Sequence, residues 1–463
     1  MPQLRLERGA LAGEGWAASA DLENSRDRLL AGKLKPGPGR SAQEVASHQL
    51  GRIHAAMIES VAKRGYDAVT VRELTRCAGI SSRSFYKHYA GKEECFLATH
   101  RLVALKSLGR LSESQTEASD AKGAVRLAIT RIARDLGSEP NEAYLLLLAP
   151  YRVSERAVEQ LRQTELIFRA RLERGIANAG SGGTASAFAA RAIVDGLTAV
   201  ACSRLMDGRG SELASQASEL AEWATSLVDP AIRRLDGLDE DRHPDGRDSR
   251  AIETSGLRRV EEPAHPDSDH ALLLAAVTKL VTRSCKATLT PGEIVAAAGL
   301  TRSAFHANFP DVESCVAAAL DSKLEDVMQR VRRAARGEGT PAERVHRAVD
   351  SLCSELTRDP ALSSLCCGSV ASTMVLARRR LQSLLVAGLR PVFGAMPNAD
   401  VAELRTQASA GAIWGNLQHR LAEHPANGMP NPTAHLTYLM LAPAIGGSEA
   451  IEAMQRERTL SAA

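Results

Sequence analysis

Two segments of this chain repeat one pattern, with Gly79 and Gly299 at matching places 220 positions apart. The first runs Thr70-Val71-Arg72-Glu73-Leu74-Thr75-Arg76-Cys77-Ala78-Gly79-Ile80-Ser81-Ser82-Arg83-Ser84-Phe85-Tyr86-Lys87-His88-Tyr89, and the second runs from Thr290 to Phe309. Each opens on Thr-x-x-Glu, a capping box. The Thr hydroxyl accepts from the amide three residues on, and the Glu carboxylate accepts from the Thr amide. Pro291 stands in the first helical turn, where proline is tolerated. Gly79 and Gly299 allow the positive φ that ends a helix sharply. Ser81 and Thr301 then cap a second helix. Val71, Leu74 and Ala78 form an inner face and Ile80 plugs the turn. Phe85 and Tyr89 share one face of the second helix and leave Ser82, Arg83, Ser84, Lys87 and His88 outside.

An apolar helix precedes each copy. Leu50, Ile53, Ala56, Met57 and Val61 recur at helical spacing and stop at Gly65; Leu272 to Val281 does the same before the second. A three-helix head with an exposed third helix is the arrangement of helix-turn-helix DNA readers. Two copies in one chain predict a repeated module, a covalent form of a two-fold pair.

Residues Ile53 to Leu97 resemble the head of the TetR/AcrR family of bacterial transcriptional regulators. Gly65-Tyr66, Thr70-Val71-Arg72, Ala78-Gly79-Ile80-Ser81, Phe85-Tyr86-Lys87-His88-Tyr89 and Lys92-Glu93-Glu94 carry the resemblance. It implies an all-α fold, action as a dimer, and a C-terminal bundle in which a small apolar effector is coupled to release from double-stranded operator DNA. Carried over by position, Arg72, Ser82, Arg83, Ser84, Tyr86 and His88 face DNA and Lys92 holds a phosphate. Thr70, Ser81, Lys87 and Tyr89 complete the expected set.

The second copy departs where contacts are expected. Gly292 replaces Arg72, His306 replaces Tyr86, Ala307 replaces Lys87 and Val312 replaces Lys92. Residues 48–107 hold ten Lys/Arg against five Asp/Glu, a net of +5; residues 268–327 hold five against seven, a net of −2. Phosphate contacts supply most non-specific affinity for DNA. The first head is therefore expected to bind DNA and the second to bind weakly or not at all. Thr301, Arg302, Ser303, His306 and Asn308 keep a base-reading role open there.

The 463 residues allow two to four domains. The pattern divides them into a flexible basic arm (1–47), a first head (48–107, motif 70–89), a first bundle for ligand and dimerisation (108–229) and a disordered linker (230–267). A second head (268–327, motif 290–309), a second bundle (328–447) and a tail (448–463) follow. The fold expected is all-α, a tandem repeat of a three-helix head plus a helical bundle. Tyr144, Tyr151, Phe168 and Phe188 are candidates to line a ligand cavity in the first bundle, and Phe393 and Trp414 in the second, although aromatics at helical spacing normally pack as core.

Eight cysteines include no Cys-x-x-Cys and no Cys/His cluster with metal spacing, so they read as buried thiols of a reducing compartment. No nucleophile, metal or cofactor motif accompanies the twelve histidines, which argues against an enzyme. The apolar runs Tyr144–Pro150 and Tyr438–Ile445 fall short of a membrane span, so a cytoplasmic, nucleoid-associated protein is expected. The two units are expected to pair within one chain rather than as a homodimer. The function these features support is a sequence-specific, ligand-responsive repressor. The alternative is a sensor or protein-interaction module of the same fold that no longer binds an operator.

Overall fold

The computed structural model describes residues 42–114, 120–178, 184–235, 268–283, 289–336, 339–359, 399–423 and 432–461, with positions 238, 383 and 386. Most of the expected basic arm and linker, and Phe393, lie outside the described residues. The described residues are helical, with no strand among them. The chain divides into two compact units, one ending at Val103 and one beginning at Ala104.

The first unit holds α1 (Ala42–Arg64), α2 (Val71–Ala78), α3 (Ser82–Tyr86) and the start of α4 (Lys92–Ser114). Ile53, Met57 and Val61 from α1, Leu74 from α2, Phe85 from α3 and Phe96 from α4 are buried together in its core. These are the apolar positions of each helical period, which is why the four helices hold one orientation.

The second unit begins with α5 (Ala121–Ser138), α6 (Pro140–Leu147), α7 (Glu155–Asn178), α8 (Thr184–Met206) and α9 (Ala217–Ser226). A single turn at Glu212–Ser215 precedes α9, broken from it at Gln216 (φ −86°, ψ 0°). Helix α8 is apolar on nearly all sides and long enough to cross a bilayer by itself, but it is buried from Ala192 to Cys202 as the centre of the bundle. A helix without a polar face must be covered on every side. On one side α8 packs against α7. On another it packs against α15 (Ala399–Glu423).

The second unit also contains α10 (Asp269–Arg283), α11 (Pro291–Ala298), α12 (Arg302–Asn308), α13 (Val312–Ala335) and α14 (Pro341–Arg358), then α16 (Thr433–Ile445) and α17 (Gly447–Ser461). Helices α9 and α15 are joined by Trp223 Nε1 donating to Ser409 Oγ at 3.1 Å, and by Arg405 pairing with Glu219 and Glu222 at 3.4 and 3.3 Å. Tyr438 Oη in α16 approaches the Leu227 carbonyl at 3.5 Å. The last residues, expected as a tail, form α17: Ala450, Ile451 and Met454 are buried, and Ser448 Oγ donates to Asp229 at 3.1 Å.

Candidate nucleic-acid interface

In the first head, Thr70 caps α2, accepting from the Glu73 amide at 3.3 Å. The return half of the expected box is replaced: the Glu73 carboxylate pairs with the Arg64 guanidinium at the end of α1. A cationic partner outcompetes a neutral amide for a carboxylate. In the second head the box is complete, with the Thr290 amide donating to Glu293 Oε2 at 3.0 Å. Gly79 (φ 61°, ψ 37°) and Gly299 (φ 69°, ψ 26°) are left-handed, and Ile80 and Leu300 follow with amides bonded back to Thr75 and Val295. Ser81 then accepts from the Ser84 amide at 3.0 Å, and Thr301 from the Ala304 amide at 3.2 Å.

These turns set the exposed face of α3. Thr70, Arg72, Ser81, Ser82, Arg83, Tyr86 and Lys87 are exposed, and Ser84, His88 and Lys92 half-buried. Tyr89 is the correction. It is 8% exposed and its hydroxyl meets His54 Nε2 at 3.1 Å, because four residues after Phe85 is again the inner face. Lys92 Nζ donates to the Tyr66 carbonyl at 3.0 Å and stands 3.9 Å over the Tyr66 ring, which fixes the ammonium at the start of α4. Burial, with Glu93 and Asp67 nearby, pushes the Tyr66 phenol up to about 12, so it stays neutral beneath that cation.

The second head repeats this pattern of exposure residue for residue from Thr301 to Phe309. Thr301, Arg302, Ser303 and His306 are exposed. Asn308 is half-buried, and its amide donates to the Ala304 carbonyl at 2.9 Å, so it is turned back onto its own helix.

His54 and Thr99 were missed by the sequence reading. Thr99 Oγ1 donates to the Cys95 carbonyl at 2.7 Å and can then accept from His54 Nδ1, also at 2.7 Å. That leaves His54 Nε2 to accept from the Tyr89 hydroxyl. This chain ties α1, the end of the recognition segment and α4 together, and it satisfies one neutral tautomer. Burial first, and His88 second, lowers His54 to about 4. Burial pushes the Cys95 thiol up to about 12, which makes it a protonated core group.

In the second unit an apolar cavity of about 60 Å³ opens between α4, α5, α6, α7 and α8. Leu136, Leu146, Leu161, Phe168, Val194 and Leu197 dominate it, with Ser107, Thr164, Glu165 and Thr198 as the polar residues of its lining. Of the aromatic candidates only Phe168 lines it. Tyr144 and Tyr151 are half-buried elsewhere, Phe188 packs edge-on to His435 at 4.7 Å between centroids, and Trp414 is fully buried. Leucines at helical spacing resemble any core in sequence, so only the assembled helices reveal the void.

Residues 53–99 match the family model of bacterial regulatory proteins, tetR family. Two solved structures also resemble the chain. The fatty acid degradation regulator FadR from Bacillus halodurans is 14% identical over 38% of this chain and 96% of that one, with a TM-score of 0.35. The transcriptional regulator FadR from Bacillus subtilis, solved in complex with stearoyl-CoA, is 18% identical over 38% of this chain and 98% of that one, also with a TM-score of 0.35. With its caps, left-handed turn and exposed third helix in register with that family match, the chain carries at residues 53–99 the head of the tetR family of bacterial transcriptional regulators.

Proposed function

We propose that the protein is a ligand-responsive repressor in which the first head holds the operator and the two head-plus-bundle repeats pair within one chain through their bundles. The observation that carries DNA binding is the exposed α3 face with Arg83, Tyr86 and Lys87 on a head of net +5. Cations on one face supply phosphate affinity, and the side chains at the start of the recognition helix reach base edges. The second head, at −2 and with Asn308 turned inward, is read as silent. The cavity beside Phe168 is lined almost wholly by hydrocarbon, and at about 60 Å³ it must widen to take a small apolar effector. The Trp223–Ser409 and Arg405–glutamate contacts support internal pairing. On this reading the protein works in the cytoplasm, at the nucleoid.

The test is selection of bound sequences from random DNA, followed by gel shifts across a salt series. Lys92→Ala should weaken binding to every sequence and reduce the salt slope by about one. Arg83→Ala should also relax base preference. If a variant with Arg83, Tyr86, Lys87, His88 and Lys92 all changed to Ala binds as tightly as wild type, the first head is not the reader. The chain would then be a sensor or interaction module without an operator.

A further inference from the structure

Helix α8 meets α15 at glycine notches on both helices: Gly196 on α8, closed by Trp223 and the Ala408 carbonyl, and Gly411 and Gly415 on α15. A Cβ added at Gly411 would overlap the Ala199 methyl and stand 3.1 Å from the Asp195 carbonyl oxygen. A Cβ at Gly415 would fall on the Asp195 carboxylate. Arg169 holds that carboxylate at 2.5 Å, and the Asp195 side chain is 7% exposed. Ala199 and Asp195 therefore fill two gaps that exist only because α15 has hydrogen where other residues carry carbon.

On α8 the second of these places is again a glycine, Gly196, and only the first is shaped differently. The spacing that aligns Asp195-Gly196 with Trp414-Gly415 also aligns Ala192 with Gly411. The α8 helix thus has a methyl where α15 has its first notch. Two α8 helices from separate chains, crossing as α8 and α15 do, would press Ala192 of each against Ala199 of the other. They would also gather two buried carboxylates at one crossing, and like charges repel strongly away from water. Interiors packed at crystal-like density do not absorb an added methyl without moving the backbone.

Resting on the internal-pairing reading above, we propose that Gly411 determines the choice of partner: it admits α8 of the same chain, whereas Ala192 and Asp195 exclude α8 of a second chain. Specificity here comes from a clash built against the competitor as much as from contacts to the chosen partner.

The experiment compares full-length wild type, Gly411→Ala, Ala199→Gly and the double variant by light scattering at micromolar concentration and by denaturant unfolding. Wild type is expected near 49.4 kDa. Gly411→Ala should lower the unfolding midpoint by closing the notch against Ala199, with no stable two-chain species, because Ala192 and Asp195 still exclude α8 of a second chain. Adding Ala199→Gly should recover most of the midpoint, although Ala199→Gly alone is slightly destabilising. That reversal is non-additivity between contacting sites. If Gly411→Ala does not fold, a folded double variant still supports the proposal and an unfolded one overturns it. A Gly411→Ala protein with the wild-type unfolding midpoint, or one that forms a stable two-chain species, overturns this proposal and leaves internal pairing standing. Wild type that is itself a stable species of twice that mass overturns the pairing reading, and this proposal with it.

Discussion

Tyr86 leaves 58% of its surface in solvent, while Tyr89, three residues on, is buried with its hydroxyl on His54. The two should separate binding from folding. Tyr86→Ala is expected to change stability by no more than about 0.5 kcal/mol, as exposed substitutions do, and to weaken operator binding. Tyr89→Phe leaves the outer face intact but strips the donor from His54 Nε2, at a cost of about 1–3 kcal/mol. Denaturant unfolding and gel shifts on both variants check this; Tyr86→Ala with wild-type affinity would remove Tyr86 from the interface. His54 gives a pH signature. Its folded value near 4 lies below the ordinary 6.5, so between those pH values the unfolded chain binds more protons than the folded one. The contribution is complete above pH 6.5, falls as pH drops toward 4, and levels off below that. The full span is about 3 kcal/mol. Unfolding of wild type and His54→Gln between pH 4 and 7 measures it, and parallel stability curves would show that His54 titrates normally.

At the scale of the element, the two turn glycines share a left-handed backbone, φ 61° at Gly79 and 69° at Gly299, which alanine at either place would have to adopt. That costs roughly 1–2 kcal/mol for an L residue. Gly79→Ala and Gly299→Ala should therefore destabilise their own heads similarly, read by hydrogen exchange at the flanking helices. Only Gly79→Ala should also reduce DNA affinity. Equal loss of affinity from Gly299→Ala would mean that the second head reads DNA too. The helix-turn-helix units were legible in the sequence because Thr70, Gly79 and Ser81 act through their own backbone and the next few residues. The exchange of Glu73 from the Thr70 amide to Arg64 was not, since it depends on where α1 ends in space.

At the scale of the whole molecule, one basic head and one acidic head within a chain imply an operator without true palindromic symmetry. Light scattering should give a mass near 49.4 kDa, and sites selected from random DNA should carry a single dominant half-site. A stable species of twice that mass on palindromic sites would instead mean two chains presenting two first heads. Helix contacts such as Trp223 to Ser409 join residues 186 positions apart, and no local pattern announces them. The C-terminal helix α17 was likewise hidden, because its apolar positions mean little until Asp229 and α16 supply a surface for it.

The sequence by itself determined what depends on neighbours along the chain: an all-helical polymer, two capped helix-turn-helix units, the exposed cations of α3, and the charge contrast between the heads. Short-range hydrogen bonds and helical periodicity act within a few residues, so spacing encodes them. Tertiary structure alone decided the rest. It supplied His54 as the partner of the Tyr89 hydroxyl, lined the cavity mainly with leucines around the one expected aromatic Phe168, and set Ala199 and Asp195 into the notches of α15. Those outcomes depend on close packing between helices far apart in the chain, where a single methyl decides what fits.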